Sequence, residues 1–107
     1  EGGIPKSEPV VLADLLDYQE GAVVSRTLAK SKAGTLTVFA FDEGQELSEH
    51  SAPFDAYVQI LDGEVKLTIG GEPVPARKGQ TVLMPADIPH GVVATTRFKM
   101  LLTMIRG

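Results

Sequence analysis

Cysteine is absent from the sequence, and histidine occurs only twice, at His50 and His90. Without thiols there is no disulfide framework, no thiolate nucleophile and no thiolate metal site. A bound metal would have to draw on imidazole, carboxylate, carbonyl or water. Positive charge is scarce and scattered, with 10 Lys and Arg against 14 Asp and Glu. The chain therefore lacks the basic patch that displaces counterions from nucleic acid, and no nucleic-acid partner is expected. Long apolar runs are missing too: nothing approaches the ~18 residues that span a bilayer. The opening EGGIPKSEP has no basic stretch followed by an apolar one, so no signal peptide is visible. The expectation is a cytoplasmic protein with no membrane partner. No Ser/His/Asp triad can be assembled, and no G-x-x-x-x-G-K phosphate loop is present.

What is present is ordinary globular composition, 43% apolar and 22% charged, which argues for a packed core. At 107 residues the chain is long enough for one domain and too short for two. Residues 1–9, with Pro5 and Pro9, read as an N-terminal arm, and residues 10–107 as the folded domain. Val10 to Tyr18 reads as a short strand leading into a helical turn that Gly21 ends, since Leu12, Leu15 and Leu16 fall at helical spacing. AVVSRTLAK and GTLTVFAF, joined by KSKAG, carry the signature of an antiparallel hairpin. Asp62-Gly63 and Gly70-Gly71 are two-residue hairpin turn pairs between apolar runs. Roughly ten short strands at close turn intervals predict an all-β sandwich or barrel.

Two strands are apolar on both faces. Leu36, Val38 and Ala40 oppose Thr37, Phe39 and Phe41, while Met100, Leu102 and Met104 oppose Leu101, Thr103 and Ile105. One face fills a barrel; the second needs a cover, which predicts a homodimer.

Two stretches carry the two histidines: GQELSEHSAPFDAYVQILDG from Gly44 to Gly63, and GQTVLMPADIPHGVVA from Gly79 to Ala94. Their spacing resembles the paired motifs of the cupin superfamily. In the first motif Gly44, His50 and Gly63 match, whereas Ala52 replaces the second histidine and Ala56 the glutamate. In the second Gly79, Pro85 and His90 match, whereas Asp87 replaces the inner glycine and Ala94 the asparagine. The resemblance implies a single-domain jelly-roll β-barrel, the double-stranded β-helix. In that family the motif histidines and glutamate converge on one metal inside the barrel; here only His50 and His90 survive.

Strand parity points His50, Ala52, Ala56, Val58 and Ile60 inward, together with His90, Val92 and Ala94. The expected ligand-binding set is His50, His90, Ala52, Ala56, Val58 and Gln59. Small alanines facing two imidazoles leave space that a chain otherwise fills, which favours a small organic ligand held by histidines acting as hydrogen-bond partners or as a general acid and base. The alternative is a metal-dependent enzyme of dioxygenase or isomerase type, holding a divalent transition metal (Zn, Fe, Mn or Ni) through His50, His90 and Asp55. Three protein ligands are normal for such a site. Glu49 and Gln59 have the parity of the opposite face. Glu46 shares the parity of His50 but lies ~13 Å along the strand. A structural dimer without a ligand is the third reading. Whether the protein is an enzyme stays open in the sequence.

Other residues have plainer readings. Arg26 suits a solvated or interface position more than a ligand anchor. Met84, Met100 and Met104 suit core filling. Asp87 suits a turn because Asp tolerates left-handed geometry. Phe54 and Tyr57 flank the expected pocket entrance, where either could gate it or simply pack.

Overall fold

A computed structural model describes residues 3–106. Among these, a single 3-10 turn at Leu12–Asp14 precedes eight strands: β1 (Val23–Ser31), β2 (Gly34–Phe41), β3 (Glu46–His50), β4 (Ala56–Ile69), β5 (Glu72–Arg77), β6 (Thr81–Met84), β7 (His90–Val93) and β8 (Phe98–Ile105). Every strand pairing is antiparallel. The first half of β4 pairs with β8 and β6, in a layer that continues through β2 to β1. Its second half pairs with β5 and β7, in a layer that continues to β3. The two layers face each other as a jelly-roll barrel, with β4 common to both.

The 14 residues of β4 show why. AYVQI and EVKLTI alternate apolar and polar side chains, and alternation along a strand sends Ala56, Val58, Ile60, Val65 and Leu67 to the core while Tyr57, Gln59, Glu64 and Lys66 face out. Burying each branched side chain contributes roughly 1.5–3 kcal/mol. Asp62-Gly63 is thus not a hairpin turn, contrary to the sequence expectation. The strand runs through it, with a one-residue bulge between Ile60 and Asp62 and Gly63 at φ 74°. The residues on either side of the pair find their hydrogen-bond partners in different strands, not in each other, so the bend carries β4 from one layer to the other. Fusing two expected strands into one is a main reason why eight strands stand where about ten were expected. Gly70-Gly71 does form the predicted turn: both have positive φ, and Ile69 faces Glu72 across it. The hairpin of β1 and β2 also forms. The strand expected from Val10 does not, and only the 3-10 turn remains of that stretch.

Phe41 and Phe98 sit opposite each other in register and stack with centroids 4.6 Å apart, plugging one end of the barrel. The outer face of β2 is covered within the chain. Val38 and Ala40 are fully buried although neither belongs to the barrel core, and the 3-10 turn packs on β4 and β8 beside them. Lys99, in register with Ala40, donates from Nζ to the Ala13 carbonyl at 2.6 Å. The Tyr18 hydroxyl donates to Asp62 Oδ2 at 2.6 Å. A second anchor follows: Asp42 accepts from Arg97 Nε at 2.8 Å and from the Gly21 amide at 2.7 Å. This segment therefore takes part of the role that the two-faced strands reserved for a second copy. The first two residues of the expected arm, and Gly107 at the end of the expected domain, lie outside the described residues.

Candidate functional site

The end of the barrel opposite the Phe41–Phe98 plug is where His50 and His90 meet. Leu47 faces Val92 and His50 faces His90, so β3 spends three steps where β7 spends two. That extra residue is a β-bulge, and it reverses parity. Leu47 and His50 consequently share the inner face, while Glu46, expected to share it, pairs with Val93 and is exposed. Gly91 accommodates the bulge: a Cβ there would come within 3.3 Å of the Leu47 carbonyl oxygen and 3.2 Å of Glu49 Cγ.

The two imidazole rings stand edge to face, with centroids 4.6 Å apart. They are not equivalent, since His90 is 6% exposed whereas His50 lies open to solvent at the rim. Each ring places Nδ1 against a backbone carbonyl two residues earlier, His50 against Ser48 at 3.1 Å and His90 against Ile88 at 3.3 Å. A carbonyl only accepts, so the neutral form of either ring would carry its proton on Nδ1 and keep the lone pair on Nε2. Burial, then the neighbouring His50, pulls the pKa of His90 below its ordinary 6.5, against a smaller upward pull from the Ile88 carbonyl. The buried ring is thus held neutral, as a hydrogen-bond acceptor or base.

Loops 51–55 and 85–89 join His50 to Ala56 and Met84 to His90, so these four strand ends rim one mouth. Ala56 is in register with Met84 and Met104, and all three pack in or against the core. Val58 lies one inward step deeper and is fully buried. Ala52 is half-buried and its carbonyl accepts from the Asp87 amide at 2.7 Å. Asp87 adopts φ 65°, the left-handed geometry its side chain tolerates.

Two expected positions, Gln59 and Asp55, fall elsewhere, whereas Arg26 lies outside as read. Gln59 is exposed on the outer face, in register with Leu101 and Thr81, because the regular pleat of β4 alternates it with inward Val58 and Ile60. Asp55 is exposed, and its Oδ1 accepts from the Ala86 amide at 2.9 Å, so the carboxylate ties the two rim loops together. Arg26 is on the outer face opposite Val38 and donates to the Gly3 carbonyl at 3.2 Å. Phe54 lies under Arg106, whose Cζ is 5.3 Å from the ring centroid, and Tyr57 is an outer-face residue. Met84 and Met100 are core residues and Met104 packs against them.

The donor set bears on a metal. Among the described residues no group of three His, Cys, Asp or Glu side chains comes together. Two imidazoles do not make up the three protein ligands that a resident catalytic metal takes, and Asp55 is engaged elsewhere. One residue escaped sequence reasoning. Thr35 lies in the row of Met104 and Ala56, facing inward; inward parity in GTLTVFAF was the available signal, but parity alone leaves open which face is inner.

Comparison with known proteins agrees with this architecture. The cupin domain family pattern matches residues 37–106. Protein SchB of Streptomyces halstedii is 30% identical over 70 residues, a match covering 64% of this chain and 51% of SchB, about half its length. The crystal structure of SPY1581, a conserved protein of unknown function from Streptococcus pyogenes, superposes with a TM-score of 0.94 at 37% identity, covering 98% of this chain and 92% of that one. A Cupin 2 conserved barrel domain protein from Leptotrichia buccalis superposes at 0.86 with 42% identity, over 88% of this chain and 46% of that one. With the two motif histidines paired at the mouth of a jelly roll and the family pattern running through seven of its eight strands, the chain belongs to the cupin superfamily.

Proposed function

We infer that the protein binds a small organic molecule at the barrel mouth, between the histidine pair and the apolar wall made by Ala56, Met84 and Met104. The observation that carries this reading is the histidine pair itself, two rings set edge to face with each Nδ1 against a backbone carbonyl. Both Nδ1 atoms are set against backbone carbonyls, so in the neutral form each ring keeps its lone pair on Nε2, one ring buried and the other at the rim. Such a pair accepts hydrogen bonds from a ligand hydroxyl or amide, and the neutral His90 ring suits proton acceptance near neutral pH. The test is an NMR titration of the histidine rings with small phenols and alcohols, alongside metal analysis of protein purified without an affinity tag. Ring shifts that saturate, and that vanish in His50→Ala and His90→Ala, support the reading. One equivalent of metal retained through gel filtration and lost in both variants would overturn it in favour of a metal-dependent enzyme.

Assembly as a homodimer is part of the same proposal. Tyr57 and Leu83 pair across β4 and β6 on the outer face, and they remain 38% and 46% exposed, with Ile105 at 53%. The N-terminal segment packs on β4 and β8 but leaves these side chains open, which supports a second copy as their cover. Light scattering at micromolar concentration should give twice the chain mass, falling to one chain in a Leu83→Glu, Ile105→Glu double variant. A wild-type monomer would remove the proposal.

A further inference from the structure

We propose that the free edge of β1 is a docking site for an extended, acidic peptide segment of another protein, which joins the sheet as one more strand. This goes beyond the mouth and its ligand and depends on neither. An open strand edge is a template for pairing with another chain, and proteins guard such edges with proline, bulges, charge or shortness. Among the described residues β1, β3, β5 and β6 each pair on one side only. β5 carries Pro73 and Pro75, which have no backbone donor. β6 has four residues, and β3 has five and is bulged beside His50. β1 runs for nine residues without a proline, and among the described residues no backbone hydrogen bond reaches it from any element but β2.

An open groove of about 700 Å³ follows that edge, lined by residues 25–30 in unbroken succession and by Gly3 of the arm. Alternate residues would mark a groove over one face of the strand; an unbroken run marks one along its backbone. Gly3 stands at its side, where its carbonyl accepts from Arg26 at 3.2 Å. Charge says which chain fits. The protein carries 14 acidic side chains against 10 basic ones, yet between Glu20 and Asp42 the only charged residues are Arg26, Lys30 and Lys32. Arg26 is tied to the arm, whereas Lys30 and Lys32 are exposed. Like charges on neighbouring strands are destabilising and opposite charges contribute. Two β1 edges laid together would set the cations of each copy against those of the other, which turns a second copy away from this edge. A strand bearing carboxylates meets both requirements: its backbone completes the ladder, and its side chains pair with the lysines.

The test is an NMR titration of the full chain with three capped peptides of about seven residues, the length of an ordinary strand. One is built from valine, threonine and glutamate, the second has lysine in place of glutamate, and the third is the acidic peptide N-methylated throughout. The acidic peptide should shift the amide signals of residues 23–31 in a saturable way and slow hydrogen exchange at the amides of the free edge. Lys30→Glu combined with Lys32→Glu should weaken it about three- to tenfold and make the lysine peptide the better ligand. The N-methylated peptide should not bind, because it has no donors with which to join a ladder. No saturable shift of β1 by the acidic peptide would overturn the inference. Equal binding of the N-methylated peptide would also overturn it, since charge alone would then hold the peptide. Protection of the β1 amides that grows with protein concentration in the absence of peptide would give the edge to a second copy and overturn it as well.

Discussion

Leu47 and His50 are three residues apart in sequence yet stand on one face of β3, because the bulge between them uses two residues against one on β7. The histidine pair exists only through that irregularity. In a regular pleat an inward Leu47 would put His50 outside. Deleting Glu49 should therefore remove the bulge yet keep the rings together, because two steps on β3 then match two on β7 and a regular pleat places His50 inward opposite His90; the expected readout is nuclear Overhauser contacts between the rings that persist in a folded barrel. Loss of those contacts in a folded barrel would show that the register of β3 on β7 does not set the pairing.

The pH dependence of stability carries the signature of His90. Its pKa is lowered in the folded state, so below 6.5 the unfolded chain binds more protons than the folded one. Stability contributed by the neutral ring is complete above pH 6.5 and is lost as pH falls from there through the folded value. Urea midpoints should decline between pH 7 and pH 5, and His90→Gln should flatten part of that decline. An equal slope in both proteins would refute the assignment.

Tyr18 predicts a change at the opposite end of the scale. Burial first, and then the hydrogen bond to Asp62, raise its pKa above the ordinary 10.0. The protonated phenol is the form that docks, so its contribution is complete below pH 10 and is lost as pH rises further. Tyr18→Phe should cost about 1–2 kcal/mol at neutral pH. It should also speed amide exchange over residues 12–20 while leaving the barrel strands protected.

Two glycines of like backbone angle should respond very differently to substitution. Gly21 has φ 69° and nothing near its missing Cβ, so Gly21→Ala should cost about 1–2 kcal/mol, the left-handed penalty alone. Gly63 has φ 74°, and a Cβ there would run into the Arg97 carbonyl oxygen and approach Phe98 Cα to 2.9 Å. Gly63→Ala should cost more than about 3 kcal/mol, because backbone strain and a backbone clash add. Chemical denaturation of the two variants settles the comparison.

The sequence showed the barrel and its inner faces well, and the irregular points poorly. Alternation in AYVQI, EVKLTI and GTLTVFAF sorts side chains by face without knowledge of their partners, which is why Val58, Val65 and Phe41 were readable as alternating strand residues. A bulge is invisible to that rule. It shifted Glu46 off the face of His50 and turned Asp62-Gly63 from a hairpin into a bend, since the choice between turn and bulge rests on which distant strands compete for the backbone. Gln59 as a pocket residue required that β4 break its alternation, and it does not. Asp55 was near the histidines in sequence, but its carboxylate had a backbone amide, Ala86, closer to hand. The unpaired hydroxyl of Thr35 was unreadable because a missing hydrogen bond is a property of the assembled fold, not of any segment.

The strand β4 belongs to both layers, so the layers share a spine and cannot part like the leaves of a book. Access to the buried ring of His90 then falls to the rim, loops 51–55 and 85–89, and those two are fastened to each other by the Asp87 amide on Ala52 and the Ala86 amide on Asp55. They form a single collar: neither loop can be displaced from the rim without breaking the two hydrogen bonds that hold it to the other.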